Sequence, residues 1–558
     1  MQLIECVPNF SEGRNLSIIK QITDEIENSE GVRLLDVDPG ADTNRTVVTF
    51  VGEPERVIDA AFKAIVKATE LIDLRNHSGA HARMGATDVC PLVPVSNISM
   101  EETSIWAEKL AERVGRDLQI PIFLYEKSAK LNHRSNLAEI RSGEFEGMAD
   151  KILLPQWKPD FGPQLQHKSA GSTAIGARQF LIAYNINLNS MDRKIATDIA
   201  LDIREKGRFK RDENGKVIRD DSGKIIMKPG KLKACKAVGW YIDEYKQAQI
   251  SMNLVDFTIT PPHIAFEECR KQARKRGVRV TGSELVGLIP LESILEIGNF
   301  YLNEQQRSQG VPENEVINIA VKSLGLDEIS DFNPKEKIIE YQINPEFGEL
   351  ASSSIYGFAN ELSTNSPAPG GGSVSALMGS MGVALSAMVA NLSIGKKGFE
   401  QKYNAMNSLA VNAQELKKDL LQLIDKDTDS FNVVMEAFSL PKKTDEQKLE
   451  RNSAIQKATK IATMIPFQIL EKCILGLDLA FQSAKEGNPN SITDSGVASE
   501  ALMAGARGAF LNVKINLKDI EDTHFINELT NKGNKLIENG EEKLIAIRLQ
   551  VESILNAE

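Results

Sequence analysis

The feature that most constrains this 558-residue chain is a single change of rhythm near residue 330. Up to there, short β-branched runs alternate with amphipathic stretches of helical spacing; beyond Phe347 almost every segment reads as helix. Such a chain cannot be one uniform body. The pattern predicts an α+β portion followed by an antiparallel, up-and-down all-α helical bundle.

Within the first portion one order of elements occurs twice. LIECVPNF and VRLLDVD read as strands, and RTVVTFVG follows a turn at Pro39 to Asn44. Helices are predicted from Asn15 and from Pro54. From Arg178 the same order returns: strand RQFLIAYNINL, helix from Asp192, strands AVGWYIDEY and AQISMNLVDFTI, helix from Pro261, strand VRVTG. Pro54 and Pro261 each open a second helix, where the missing N–H costs nothing. Two related lobes are expected, each a sheet with helices on one face, over residues 1–177 and 178–330. A linker over 331–346 contains Asn333-Pro334, and the helical domain spans 347–558. The charged run from Arg208 to Lys231, with turns at Asn-Gly and Ser-Gly, reads as an inserted surface hairpin.

At roughly 150 residues per domain the length allows three or four domains, in agreement with that division. Basic residues number 66 and acidic residues 77, a net charge of −11, which disfavours nucleic acid or an anionic membrane as the main partner. Five scattered cysteines fit a reducing compartment, and MQLIECVPNF lacks the pattern of a secretory signal, so a cytoplasmic location is expected. Val374 to Ile394 carries no charge and is long enough to span a bilayer. Its serines, Asn391 and lack of flanking aromatic residues instead fit a helix buried inside a bundle.

Chemistry-bearing residues concentrate in NHSGAHARMGATDVCPLVPV, Asn76 to Val95, which holds two of the six histidines. His77 and His81, with Asp88 and Cys90, could form a metal set. Alternatively, an imidazole in a glycine-rich loop can serve as general acid or base, or simply cap a helix or face solvent. Asp36, Asp38 and Asp42 flank the preceding strand turn, where a carboxylate can orient an imidazole; equally, Asp is what a turn needs. In the helical portion, Gly370, Gly371 and Gly372 stand before a helix, either as an exposed-amide site or as a tight entry turn. The helix from Ala405 carries an apolar stripe through Met406, Leu409, Ala413, Leu416, Leu420 and Leu423, continuing to Phe431, Val434 and Phe438. Asp427 occupies the vacant place in that stripe, whereas Asp425 and Asp429 fall off it and are expected in solvent. A carboxyl on a buried face is either ion-paired or raised in pKa toward proton transfer. Asp494 sits near the start of a later helix, the usual position of a cap.

Several of these segments resemble known sequences. ECVPNFSEGRN, LLDVDPGADTNRTVVTFVG, HARMGATDVCP and GARQFLIAYNINL are similar to glutamate formimidoyltransferase over roughly residues 1–330. PAPGGGSV, LIDKDTDSF, SITDSGVA and GAFLNVKINLKDI resemble formimidoyltetrahydrofolate cyclodeaminase over roughly 345–558. The resemblance implies two ferredoxin-like lobes, each β-α-β-β-α-β, ahead of the bundle. It implies formimidoyl transfer from N-formimidoyl-L-glutamate to tetrahydrofolate, then cyclisation to 5,10-methenyltetrahydrofolate with loss of ammonia. Carried over by motif, His81 becomes the proton shuttle and Asp38 its orienting partner. The folate loop falls on Gly162 to Gly171, where Gly162, Pro163, Ser169 and Gly171 match and Gln164 to Lys168 do not. Asp427 becomes the cyclodeaminase acid and base; Gly370 to Gly372 are expected to line its pocket, with Asp494 a further candidate. Tetrahydrofolate, polyglutamylated, is carrier and substrate, no metal is implied, and a homo-oligomer, a dimer or a ring of dimers, is expected. The rivals are a zinc deaminase built on His77, His81, Asp88 and Cys90, and a non-catalytic folate-binding scaffold. The basic runs Arg270 to Arg276 and Lys396-Lys397 can attract a polyglutamate tail or merely face solvent.

Overall fold

The structure is a computed structural model that describes residues 2–41, 43–79, 82–343 and 347–557. Asp42 and His81 lie outside the described residues. Two compact units divide the chain, Met1–Ser293 with Leu324–Asn344 and Ile294–Ser323 with Pro345–Glu558.

The first unit opens with β1 (Leu3–Cys6), β2 (Asn9–Phe10), α1 (Leu16–Glu27), β3 (Val32–Gly40), β4 (Arg45–Gly52), α2 (Pro54–Leu71) and β5 (Thr87–Ser96). LIECVPNF is thus two strands rather than one. Pro8 has no N–H for the ladder, so the chain breaks there, and both halves still pair with β4 and β5. Asn15 caps α1 by accepting from the amides of Ser17 and Ile18, and Pro54 stands at the start of α2. An extension follows that the periodicity did not reveal: α3 (Met100–Asp117), β6 (Ile122–Leu124), α4 (Leu137–Arg141), α5 (Glu144–Lys151) and β7 (Thr173–Ala177). It adds β7 and β6 to the sheet in parallel beside β5.

The second lobe comprises β8 (Ile182–Leu188), α6 (Arg193–Ile203), β9 (Arg208–Phe209), β10 (Met227–Lys228), β11 (Cys235–Ile242), β12 (Gln247–Leu254), α7 (Pro262–Lys275) and β13 (Val280–Val286). Its four-stranded sheet has the order β11-β12-β8-β13, all antiparallel. Numbered within the lobe this is 2-3-1-4, and β3-β4-β1/β2-β5 of the first lobe has the same order. The duplication inferred from rhythm is therefore a duplication of topology, ferredoxin-like in both lobes. The insertion pairs β9 with β10 and contains two turns of one construction. Asp212 accepts from the amides of Asn214 and Lys216, and Asp220 from those of Ser222 and Lys224.

Helices α8 (Leu291–Glu304), α9 (Glu313–Leu324), α10 (Pro334–Lys337) and α11 (Ile339–Ile343) span the change of rhythm. Then come α12 (Ile355–Leu362), α13 (Gly371–Ser393), α14 (Tyr403–Ser439), α15 (Asp445–Glu486), α16 (Ile492–Leu517) and α17 (Thr523–Leu555). Consecutive long helices run antiparallel, as paired contacts show: Leu420 lies by Gly379, Ser483 bonds Ser495 at 2.8 Å, and Arg507 pairs with Glu541. Helix α13 is the centre. It is long and apolar enough to cross a membrane, yet it is mostly buried against α14, α15 and α16. Gly379 and Gly382 let Cys473 and Leu502 approach its backbone more closely than any Cβ would allow. The stripe on α14 is buried from Met406 to Ile424, but Phe431 and Val434 are half-buried and Phe438 is exposed. The helix outruns its neighbours' main core at that end.

Candidate active sites

The first site follows from strand alternation. Ile4 and Cys6 of β1, Val48 and Phe50 of β4, and Cys90 and Leu92 of β5 enter the core under α1, α2 and α3. Side chains alternate across a sheet, so Glu5, Val47, Thr49, Val89 and Pro91 take the opposite face. On β3 a bulge between Leu34 and Asp36 shifts the register, leaving Val37 in the core and turning both Asp36 and Asp38 to that second face. There, opposite Ala183, Lys236, Asn253 and Val286 of the second lobe, lies a cavity of about 710 Å³. Asp38 therefore lines a cavity between two sheets of one unit. Asp36 beside it is raised in pKa by burial and by the Asp38 charge.

Of the proposed zinc set, His77 has its Nε2 2.9 Å from the Asn44 carbonyl oxygen and receives the Arg83 Nε–H on Nδ1, an arrangement that suits a neutral ring with the proton on Nε2. Asp88 is buried, pairs with Arg45 at 3.2 Å and with Arg141, and accepts from the Met84 amide. Cys90 lies in the helix-covered core, its Sγ 3.5 Å from that of Cys6. Among the described residues no three His, Cys, Asp or Glu side chains gather as metal ligands.

The loop from Gly162 to Gly171 is a close-fitting strap. Gly162 and Gly171 have φ of +79° and +69°, and a Cβ on either would strike the carbonyl of Ile120 or of Met84. Pro163 follows the first of these turns. Ser169 accepts through its carbonyl from the Leu74 amide, and Ala170 accepts from Ala86. The mismatched Gln164 and Gln166 donate to the Ile152 and Phe145 carbonyls, so they serve the strap's own attachment. The loop thus lies against Met84–Ala86, just past His81 in sequence, and is not part of the cavity wall.

In the second unit, Asp427 meets the start of α13. Gly370 is the N-cap, and Gly372 passes so close to the Asp427 carboxylate that a Cβ there would overlap it. Ser373 donates its hydroxyl to Asp427 Oδ2 at 3.1 Å, and its backbone N–H also serves that carboxylate. Burial raises the Asp427 pKa, while the two Ser373 donors hold it back. Gly371 faces the Asn512 amide across the helix pair. Ser373 and Asn512 belong to this site and were not singled out by periodicity; a small residue after three glycines and an amide within an apolar helix were the available signals. Asp425 differs from expectation. It accepts from the Leu350 and Ala351 amides at 2.9 and 3.1 Å and so anchors the chain entering this unit. Asp429 is exposed as expected. Asp494 is in the first turn of α16, whose Gly508 and Asn512 are the residues near the start of α13. At 1.5 Å per residue that separation along α16 is roughly 20 Å or more, so Asp494 is not brought to Asp427.

If Asp427 has the role that the resemblance implies, Gly372→Ala, which displaces its carboxylate by a fraction of an ångström to an ångström, is expected to lower ammonia release from 5-formimidoyltetrahydrofolate roughly 10- to 100-fold. Formimidoyl transfer assayed on the same preparation is expected to be unchanged.

Comparison with known proteins finds related sequences for both units. Residues 3–178 match the formiminotransferase domain, N-terminal subdomain; residues 183–344 the formiminotransferase domain; and residues 354–535 formiminotransferase-cyclodeaminase. The second match includes Ile294–Ser323, which packs with the helical unit. The chain is 41% identical over 527 residues to the mouse formimidoyltransferase-cyclodeaminase, covering 94% of each. It is 41% identical over 546 residues to that of Dictyostelium discoideum, covering 97% of each. A glutamate formimidoyltransferase from Streptococcus pyogenes serotype M1 is 41% identical over 301 residues, 54% of this chain and 93% of that protein. With one relative matching the whole length and another only the part that holds the two-sheet cavity, the chain belongs to the formimidoyltransferase-cyclodeaminase family.

Proposed function

We propose that the two units carry the two successive reactions of this folate-dependent, histidine-degrading family. In the first, tetrahydrofolate N5 attacks the amidine carbon of N-formimidoyl-L-glutamate, N5 loses a proton, and the glutamate nitrogen gains one as it leaves. His81 passes that proton, and Asp38, on the cavity face of β3, orients it. The strap from Gly162 to Gly171, with Pro163 and Ser169, presents backbone groups to the pterin.

In the second, N10 of 5-formimidoyltetrahydrofolate closes on the formimidoyl carbon. Asp427 takes the N10 proton and delivers it to the departing nitrogen, leaving ammonia and 5,10-methenyltetrahydrofolate. One carboxyl can do both because burial has raised its pKa while Ser373 holds its oxygens in place. Gly370, Gly371 and Gly372 admit the substrate beside it. The observation that carries this reading is the Asp427 carboxyl set against a helix start that only glycine permits. Neither step requires a metal. The absorbance of methenyltetrahydrofolate appearing from N-formimidoylglutamate and tetrahydrofolate tests it; no absorbance from the full chain contradicts it.

Polyglutamylated tetrahydrofolate is the proposed form of the carrier, in the cytoplasm. The five buried cysteines without a disulfide support a reducing compartment. The working form is a homo-oligomer. Along α13, Met378, Met381, Leu385, Met388 and Leu392 follow a 3-4 spacing, and all but the half-buried Leu385 are exposed, an unpartnered seam of the kind that pairs with a second helix. Met381→Glu is expected to halve the particle mass measured by light scattering; an unchanged mass places the interface elsewhere.

A further inference from the structure

Glu5 has no assigned task in the reactions above, yet its placement is costly. It lies on β1 between Ile4 and Cys6, which are both core residues, and it is 1% exposed. Its Oε2 makes no hydrogen bond among the described residues. Buried carboxylates without partners are rare, because desolvation without compensation costs several kilocalories per mole. A neutral side chain of similar shape would fill the same place without that cost. Glu5 nevertheless faces the two-sheet cavity, on the same wall as Asp38.

We infer that Glu5 is the subsite for the formimidoyl group of the donor: its carboxylate receives the amidinium N–H groups of N-formimidoylglutamate inside the cavity. This rests on the proposed transferase reading of that cavity. An amidinium is planar, cationic and carries paired N–H donors, and a carboxylate matches it with two parallel hydrogen bonds. The donor's other end is anionic, and Arg178 beside Glu5 and Lys236 on the facing second lobe put cations on the same cavity. The cavity thus offers a carboxylate to the donor's cationic head and cationic side chains to its carboxylates. Bound there, the amidinium would be fixed in one orientation, with its carbon presented to an incoming nucleophile.

The electrostatics make the interaction depend on pH. Burial pushes the Glu5 carboxyl up to about 7; Arg178 opposes this and Glu340 adds to it. Other charged groups on the cavity are Asp36, Asp38, Arg45, Glu126, Lys127, Arg141, Lys236 and Asp256. The free protein therefore holds Glu5 largely protonated below about 7, and binding of the amidinium ionises it. Donor affinity should rise about tenfold per pH unit up to that point and level off above it, with a proton released on binding at lower pH.

The test uses the full chain without tetrahydrofolate, so that nothing turns over, and measures dissociation constants by calorimetry. The ligands are N-formimidoylglutamate and its neutral isostere N-formylglutamate. In the unaltered protein the amidinium should bind more tightly than the formyl compound, with the pH dependence described. Glu5→Gln should weaken N-formimidoylglutamate roughly 30-fold or more, leave N-formylglutamate within about twofold, and abolish the pH dependence. Retained N-formylglutamate binding by the same variant reports that the two-lobed unit is folded. Equal weakening of both ligands, or none, overturns the Glu5 assignment. Failure of the unaltered protein to bind N-formimidoylglutamate overturns the transferase reading itself. Should Glu5→Gln fail to fold, Glu5→Asp provides the second arm: a retracted carboxylate should keep the pH dependence at reduced affinity, and loss of that dependence counts against the proposal.

Discussion

Asp427→Ala is expected to lower cyclisation of supplied 5-formimidoyltetrahydrofolate by roughly 10²- to 10⁴-fold, the range of general acid–base catalysis, and to leave formimidoyl transfer at full rate. The size of the effect follows from how little else can do the work. Among the described residues seen to meet at the start of α13, Ser373 and Asn512 are neutral at working pH, so the protonation of the departing nitrogen falls to Asp427. The sign of a second effect also follows. The Ser373 hydroxyl stabilises the ionised form of Asp427, so Ser373→Ala raises the carboxyl further and moves the cyclodeaminase pH profile upward. A profile that moves downward, or an Asp427→Ala variant that still releases ammonia at the original rate, would falsify the role given to this carboxyl.

His81→Ala is expected to give the complementary result, transfer reduced by a similar factor and ammonia release from supplied 5-formimidoyltetrahydrofolate intact. Transfer needs one proton to leave N5 and one to reach the glutamate nitrogen, and an imidazole with a near-neutral pKa is suited to carry both in turn. His77 cannot replace it in its present place, since both its ring nitrogens are engaged, with the Asn44 carbonyl and with Arg83. Asp88 is likewise held, by two guanidinium groups. A His81→Ala protein that transfers at the original rate transfers the proton-carrying role to another group.

How far these sites could be read from sequence depends on the kind of signal each left. The duplicated lobes were legible because strands and helices differ in period and because Pro54 and Pro261 mark equivalent helix starts. Asp427 was legible because a 37-residue helix gives its stripe time to establish a vacancy. The parallel extension through β6 and β7 was not, since three- and five-residue strands separated by a long stretch of short helices and loop carry no periodicity of their own. Asp36 and Asp38 looked like turn residues because the bulge that turns both to one face is a property of pairing with β4. Asp425 looked solvated because the amides that it receives come from residues 75 and 74 positions away. Glu5 left a visible mark, a charge inside a strand apolar on both sides, but only the two-sheet cavity gives that charge a purpose.

The central claim is that one chain holds two complete and separate sites, and mixing tests it most directly. His81→Ala and Asp427→Ala proteins are combined in equal amounts with N-formimidoylglutamate and tetrahydrofolate, and 5,10-methenyltetrahydrofolate is followed by its absorbance. Each variant alone should produce almost none, and the mixture should produce it, because one protein supplies the intermediate that the other cyclises. A mixture that stays silent, while each variant still performs its own remaining reaction on supplied substrate, would contradict the account.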